Sequence, residues 1–356
     1  MKSLTIPSIA TIIVDKATSI QRMCMCVVGG AAIATTLFNA PALADPFRTT
    51  NARSFDGQLE AAFAEMFRNG DYVAAKALLE TASTDDPMTH AMQAAFAYLE
   101  SDWSVLGTEA EETLTAAQQL VDSDPLRGNL YTAVGHFMEG AHVLSTQSTV
   151  QATPIVLNKL RLVFDHLRQA EEIDAQDPEL NLIKGYMDLM LAVNLPFSSP
   201  DQAIDRLQAY GAPSYLVQRG VAIAYRDLDN YDAALAAVEQ ALEETPDNPD
   251  LFYLRAQILR LNGRLGQSVR QFDQTLEQIE NYPTPLAVQI AYERCRARNA
   301  LRERNESGGL TRNCRTWAQQ RIARDSQPAD DAQPTEEADA SSENVSENAT
   351  SDSTDS

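Results

Sequence analysis

Apolar residues recur every three or four positions along most of the chain. Between residues 231 and 245, for example, Ala234, Val238 and Ala241 fall on one face of a helix. This spacing is typical of an amphipathic helix, and the alternating runs typical of strands are scarce. Apolar residues make up 44% of the chain, which is enough for a packed core. The pattern therefore predicts an all-α protein.

Several predicted helices begin at an Asp-Pro step, as at Asp86-Pro87, Asp124-Pro125 and Asp177-Pro178. The Asp side chain accepts hydrogen bonds from the first amides of a helix, and Pro is tolerated in the first turn. We predict six helix pairs, two terminal helices and, within the third pair, helices at 126–147 and 154–174. The pairs are placed near 56–84, 88–122, 125–175, 179–211, 214–245 and 249–280, and the terminal helices near 284–303 and 310–323.

The chain also repeats itself with a period of 34 residues. Residues 215–248 carry small side chains at repeat positions eight, twenty and twenty-seven, namely Ala222, Ala234 and Ala241. Residues 249–282 follow in register, with Ala256 and Ser268 at the first two of these positions. Small residues there let neighbouring helices approach closely. Residues 56–89 match only in part, because the large Phe63 stands at position eight.

These three copies resemble tetratricopeptide repeats. The resemblance implies a right-handed solenoid of helix pairs over residues 45–282, closed by Arg-rich capping helices at 283–324. In that family the first helix of each pair lines a concave groove that binds a partner protein. The whole layout also resembles an exported cyanobacterial repeat family without an assigned activity.

Transferring the family's ligand-contacting positions onto this chain predicts a partner-binding groove. Its residues are Arg219, Ile223, Arg226, Asp227, Tyr253, Gln257 and Arg260. Arg226 and Arg260 hold the same repeat position, so we expect their side chains to stack in the groove. With Arg219 they would form a basic strip suited to an acidic segment of a partner. The alternative is that these arginines pair with neighbouring Asp and Glu on a solvated surface.

The first 44 residues have the pattern of a signal peptide. Basic residues precede an apolar stretch from Met23 to Phe38, and Ala42 to Ala44 form an A-x-A cleavage signature. We therefore predict export to the periplasm or a compartment like the thylakoid lumen, with no membrane span after cleavage. The apolar stretch is shorter than the roughly 20 residues that cross a bilayer. An uncleaved membrane anchor is the alternative.

Charge is distributed unevenly around a net value of −22. The body of the chain is acidic, which disfavours nucleic acid as a partner. Residues 325–356 contain ten Asp or Glu, no Lys or Arg and almost no large apolar residue. Such a segment cannot bury enough surface to offset the entropy of ordering, so we predict a disordered acidic tail.

Two cysteines, Cys295 and Cys314, follow the predicted leader. In an oxidising compartment they predict one disulfide that fastens the terminal helices together. A metal site is the alternative, but no His or third Cys lies near them in sequence. Cys295 is farther than Cys314 from the expected turn at residues 307–309. We therefore expect the first terminal helix to end early, near Asn299, or the second to cross it obliquely.

The sequence contains no recognisable catalytic, cofactor-binding or metal-binding motif. Its four histidines are scattered, and the Gly-rich and nucleophile motifs of common enzymes are missing. We therefore predict a non-catalytic scaffold or adaptor for a protein or peptide partner in envelope or membrane-complex assembly. The alternative is an accessory subunit, or an unrecognised enzyme, of the cell envelope. A scaffold should have an open groove, whereas an enzyme should have a deep pocket with perturbed titratable groups.

Overall fold

The computed structural model describes residues 45–194, 200–304 and 312–325. All regular secondary structure in these ranges is helical, which confirms the predicted all-α class. The predicted signal peptide, and the acidic tail after Asp325, lie outside the described residues. Every helix in the described ranges is too short or too polar to cross a membrane.

Fourteen α-helices in the described residues follow one another as packed pairs, ending in two terminal helices. They are α1 Gly57–Phe63, α2 Tyr72–Leu79, α3 Pro87–Glu100, α4 Trp103–Leu120, α5 Pro125–Thr146, α6 Thr149–Ile173, α7 Pro178–Asn194, α8 Pro200–Tyr210, α9 Ser214–Asp227, α10 Tyr231–Glu244, α11 Pro249–Leu261, α12 Leu265–Leu276, α13 Thr284–Arg304 and α14 Cys314–Asp325. The predicted solenoid of helix pairs is therefore confirmed, and the first helix of each pair is an odd-numbered one.

Two predicted helix starts differ from the structure. Helix α6 begins at Thr149 rather than at residue 154, because Pro154 is accommodated inside the helix. Helix α14 begins at Cys314 rather than at residue 310. Helix α13 matches its predicted range of about 284–303, and of the two alternatives for the cysteine mismatch the early end near Asn299 does not occur. The late start of α14 places Cys314 beside Cys295 without an early end to α13.

The turn between the helices of a pair uses the same backbone conformation four times. Among the described residues, Gly70, Ser101, Asp229 and Gly263 have positive φ, between 60° and 92°. Three of them, Gly70, Asp229 and Gly263, stand at position fifteen of their repeats. Glycine adopts this conformation without strain, and Asp tolerates it better than most residues. The turn therefore has the same backbone conformation in different repeats, even where the residue is not glycine.

Small residues hold the helices of a pair close together. Ala222, Ala234 and Ala241 are completely buried, as are Ala256 and Ser268. The Ser268 hydroxyl donates a 2.8 Å hydrogen bond to the Ala256 carbonyl, which joins the two helices of the sixth pair directly. The small residues that carry the repeat pattern thus lie inside the array, as their sizes predict.

The first pair departs from this geometry. Phe63, at repeat position eight, ends α1, and the chain continues as a π-helical turn from Ala64 to Asn69. The Phe63 ring packs against Phe67 at 4.7 Å and against Phe47 at 5.2 Å between ring centroids. A large side chain at the usual small position therefore coincides with a locally widened helix.

The array curls until its sixth pair meets its first. The Asn248 side chain donates hydrogen bonds to the Phe67 and Arg68 carbonyls, at 3.2 Å and 3.1 Å. Nearby, the Tyr72 and Tyr282 rings lie 5.3 Å apart. Helix α13 also contacts α3. These contacts enclose the concave side, which differs from the open groove expected of a scaffold.

Candidate functional site

A cavity of about 240 Å³ lies on the concave side of the array. Its wall comes from the first helices of the pairs, α1, α3, α5, α7 and α9, together with Phe47 and the π-helical turn after α1. Large side chains from successive helices face it, including Phe63, Phe137, Leu182 and Leu216. The repeat architecture thus places one apolar surface inside the curl of the array.

Methionine is the residue that distinguishes this wall. Every methionine after residue 44 lines it, namely Met66, Met88, Met92, Met138, Met187 and Met190. Met88 and Met92 are one helical turn apart on α3, and Met187 and Met190 have the same relation on α7. Methionine is flexible and polarisable, so a surface rich in it adapts to apolar groups of different shape.

The polar side chains of the wall form hydrogen bonds or ion pairs with other residues of the protein. The Tyr131 hydroxyl donates a 2.9 Å hydrogen bond to Glu179, and the Tyr186 hydroxyl donates a 2.6 Å bond to the Leu216 carbonyl. Arg219 forms an ion pair with Asp250. The described residues of the wall include no carboxylate, imidazole or thiol. The chemistry of the wall is therefore that of an apolar binding surface.

The residues predicted to form a basic groove lie elsewhere, at the packed interface of α9, α11 and α13. Arg219, Ile223, Arg226, Tyr253 and Gln257 are all more than nine-tenths buried. Asp227 and Arg260 are partly exposed. Only Arg219 also reaches the cavity wall. A partner-binding role for this set stays a prediction, because the structure places most of it in internal contacts.

These buried side chains form a continuous chain of polar contacts between successive first helices. Arg226 donates to Asp227 through Nε at 2.8 Å and to Gln257 Oε1 through Nη1 at 2.7 Å. Gln257 and Tyr253 in turn donate to Glu293 of α13, both at 3.2 Å. The expected pairing of arginine with nearby acids therefore occurs, but in the interior rather than on a solvated surface. We call this set, Arg226, Gln257 and Glu293, together with the separate ion pair of Arg219 and Asp250 between the same helices, the C-terminal polar network.

Burial sets the ionisation of Asp250 within this network. It raises the pKa of the Asp250 carboxyl to about 7, although Arg219 and a hydrogen bond from Tyr282 act in the opposite direction. Burial, with the nearby Asp250 charge, also raises the pKa of the Tyr282 hydroxyl. Loss of solvation is thus the dominant effect at this contact.

A second buried polar cluster lies at the starts of α3, α5 and α7. Arg127 binds Asp86 through Nη1 and Nη2, at 2.9 Å and 3.0 Å, and it reaches Glu179 through Nε at 3.1 Å. Its guanidinium also lies 4.8 Å from the centroid of the Phe55 ring. Burial raises the pKa of Glu179, while Arg127 and Arg53 oppose that shift. Asp-Pro steps predicted only as helix caps therefore also supply carboxylates to an ion cluster.

The histidines have structural partners. His136 contacts Glu139 at 2.7 Å, His166 contacts Asn129 at 3.0 Å, and the two imidazole centroids are 5.9 Å apart. His90 contacts Glu109 at 2.8 Å. Within the described ranges, no three His, Cys, Asp or Glu side chains are arranged to hold a metal ion.

Cys295 and Cys314 form a disulfide in the structure, as the sequence predicts. Asn299 supports the junction, because its side-chain amide donates a 2.9 Å hydrogen bond to the Arg312 carbonyl. Ala297, Ala318 and Ile322 are buried between α13, α14 and the main core. The bond therefore links the last helix of the array to α13.

Comparison with known proteins agrees with the repeat architecture. A tetratricopeptide repeat family model matches residues 222–284, from α9 to the start of α13. Among solved structures, the chain is similar to the crystal structure of PilW, described as a widely conserved type IV pilus biogenesis factor. The similarity has a TM-score of 0.39 at 15% sequence identity, and it covers 63% of this chain and 95% of that one. No curated protein sequence matched. We conclude that residues 222–284 are tetratricopeptide repeats, and that the other described helix pairs pack in the same consecutive way.

Proposed function

We propose that the protein is an exported, non-catalytic scaffold that binds a partner protein in its concave cavity, in the assembly of an envelope or membrane complex. The observation that carries this proposal is the methionine-rich wall, contributed by five successive first helices. Tetratricopeptide repeats generally bind partners through these helices. The partner would insert apolar side chains into the cavity, where burial of apolar surface drives association.

Two further features support a compartment outside the cytoplasm. The sequence pattern before Asp45 is that of a cleaved leader. A disulfide between Cys295 and Cys314 is also typical of proteins in oxidising compartments. We therefore propose the periplasm or a lumen of similar redox state as the place of action.

Site-specific photo-crosslinking tests the cavity as the binding surface. We would place a photo-reactive phenylalanine analogue at Phe137, which lines the cavity and is half-buried. The control position is Val150 on α6, whose side chain is 86% exposed and lies outside the cavity lining. In the native exported fraction we expect Phe137 to give a discrete crosslinked protein that Val150 does not give. Identical crosslinks from both positions would contradict the proposal.

A matched pair of charge insertions gives a second test. Ala95→Glu places a carboxylate in the cavity wall, whereas Ala209→Glu places one on the exposed face of α8. We expect Ala95→Glu to lower capture of the crosslinked partner by about tenfold or more, because the charge must be desolvated on binding. Ala209→Glu should leave capture unchanged. Equal capture by the two folded variants would place the binding site elsewhere.

A further inference from the structure

The segment before α1 has no helix or strand, but some of its side chains, such as Phe47, are buried on the concave side. We call residues 45–56 the N-terminal strap. Asp45 is only 3% exposed, and its carboxylate accepts hydrogen bonds from the Phe47 and Arg53 amides at 2.8 Å and 2.9 Å. Arg48 donates to the same carboxylate at 3.0 Å. The strap is thus folded into a compact loop before it meets the array.

One aromatic side chain of the strap reaches the cavity. Phe47 is 5% exposed, forms part of the cavity wall and packs edge-on against Phe63. The strap belongs to no helix pair, and within the described residues it is joined covalently to the array only at α1. Phe47 therefore completes the apolar wall from outside the helix pairs, in contact with Phe63.

Two arginines of the strap bind the acidic edge beside the cavity. Arg53 contacts Asp124 at 2.7 Å, Asp177 at 3.3 Å and Glu179 at 3.0 Å. Arg48 pairs with Asp177 as well. These three acids stand at the starts of α5 and α7. The strap is therefore anchored at two points, by an aromatic ring in the cavity and by arginines on carboxylates.

The two arginines of the strap complement the charge of the edge. The edge formed by the array contributes four carboxylates, Asp86, Asp124, Asp177 and Glu179, and one guanidinium, Arg127. The strap also contains two acids, Asp45 and Asp56, but it is Arg48 and Arg53 that contact the carboxylates of the edge. Without the strap, the edge would hold an excess of buried negative charge, which is costly unless it is paired.

We infer that the strap is an internal ligand of the concave site, and that the partner segment which replaces it carries an aromatic residue followed by arginine. This inference rests on the proposed function and specifies its partner. An aromatic side chain would fill the place of Phe47, and arginines would take the carboxylates now held by Arg48 and Arg53. The strap then competes with the partner and lowers its apparent affinity.

Peptide binding in trans tests this directly. The probe is a synthetic peptide of residues 46–54, and the receptor is a chain that begins at residue 54. We expect the peptide to bind this chain and to bind the full chain at least tenfold more weakly, because the strap occupies the site there. A peptide with Arg48→Ser and Arg53→Ser should lose about tenfold or more in affinity for the truncated chain, since charged hydrogen bonds are removed. The control is a peptide of the same length with Arg48→Glu and Arg53→Glu.

A full chain with Phe47→Ala and Arg48→Ser serves as receptor if the truncated chain fails to fold by circular dichroism. It should bind the peptide more tightly than the unchanged chain does. The inference is overturned if a folded receptor does not bind the strap peptide, or if it binds the acidic control as tightly as the strap peptide. The crosslink from Phe137 to the native partner would survive that outcome, so failure of the inference is distinguishable from failure of the proposed function.

Discussion

The two halves of the concave side differ in what their first helices present. From α1 to α9 these helices present methionine and phenylalanine around a cavity. From α9 to α13 they present the C-terminal polar network, whose members bond to one another and are nearly all buried. The first helices thus line an apolar cavity in one half and form internal polar contacts in the other. Part of the difference comes from α13, because its Glu293 accepts hydrogen bonds from Tyr253 and Gln257 on the inner side of the sixth pair.

Replacement of Arg219 should cause the largest loss of stability, because it removes a buried ion pair from the C-terminal polar network. Arg219 opposes the effect of burial on the pKa of Asp250, so Arg219→Met removes the ion-pair partner of a buried carboxyl and raises its pKa further. At pH 8 the variant must either keep an unpaired buried charge or take up a proton. We expect a loss of about 4 kcal/mol in the free energy of unfolding, as for other broken buried ion pairs. Urea denaturation followed by circular dichroism measures it.

Two control variants sharpen the same comparison. Arg219→Met combined with Asp250→Leu removes both charges and should recover most of the loss, since an apolar pair is often as stable as a buried ion pair. Met92→Leu in the cavity wall conserves volume and should cost less than about 1.5 kcal/mol. If Met92→Leu destabilised the protein as much as Arg219→Met, the two halves would not differ in the way described.

Removal of the disulfide should have the next largest effect. The bond between Cys295 and Cys314 closes a loop of 19 residues and restricts the unfolded chain. Cys295→Ser with Cys314→Ser should therefore lower the free energy of unfolding by about 3 kcal/mol. The urea midpoint without reductant measures this loss. Adding reductant should shift the unchanged protein to the midpoint of the variant, and an unchanged midpoint in both experiments would show that packing alone holds α14.

The sequence predicted the fold more fully than the site. Helix pairs were predictable because their spacing, Asp-Pro starts and small residues such as Ala222 act locally. Closure of the array was not predictable, because it depends on contacts such as Asn248 with Phe67, about 180 residues apart. The burial of Arg226, which had been assigned to the groove, was also not predictable, because it depends on the packing of α9 against Gln257 of α11.

The candidate site lies mostly where the repeat pattern is weakest. Regular repeats near Ala222 and Ala256 directed the sequence-based prediction to α9 and α11, whereas the cavity is lined chiefly by the degenerate repeats before them. One sequence signal could have indicated it. The methionines after the leader cluster in predicted first helices, with pairs at Met88 and Met92 and at Met187 and Met190. The sequence does not show that these methionines lie close together, because that depends on the curl of the array.

Acidification should change the stability of the two halves in opposite directions. We expect these changes to be the smallest of those described. Burial, together with the nearby His136, lowers the pKa of His166 in the α5–α6 pair, and Asp165 opposes this only weakly. The unfolded chain then binds more protons at this residue, so its contribution to stability falls as the pH drops below about 6.5. Asp250 behaves oppositely. With a folded pKa of about 7, the native state binds the extra proton, and stability at that site rises on acidification.

Hydrogen exchange at pH 7.5 and pH 5.5, corrected for the intrinsic exchange rate, resolves these opposite responses by region. We expect protection in α5 and α6 to decrease at the lower pH and protection in α9 and α11 to increase. His166→Gln should abolish the first response alone, because glutamine does not titrate and the unfolded chain then gains no extra proton at this position. Asp250→Asn should abolish the second alone, because an amide does not titrate. A uniform loss of protection across all four helices would mean that the array responds to acid as one unit, and the distinction between its halves would then be limited to their side-chain chemistry.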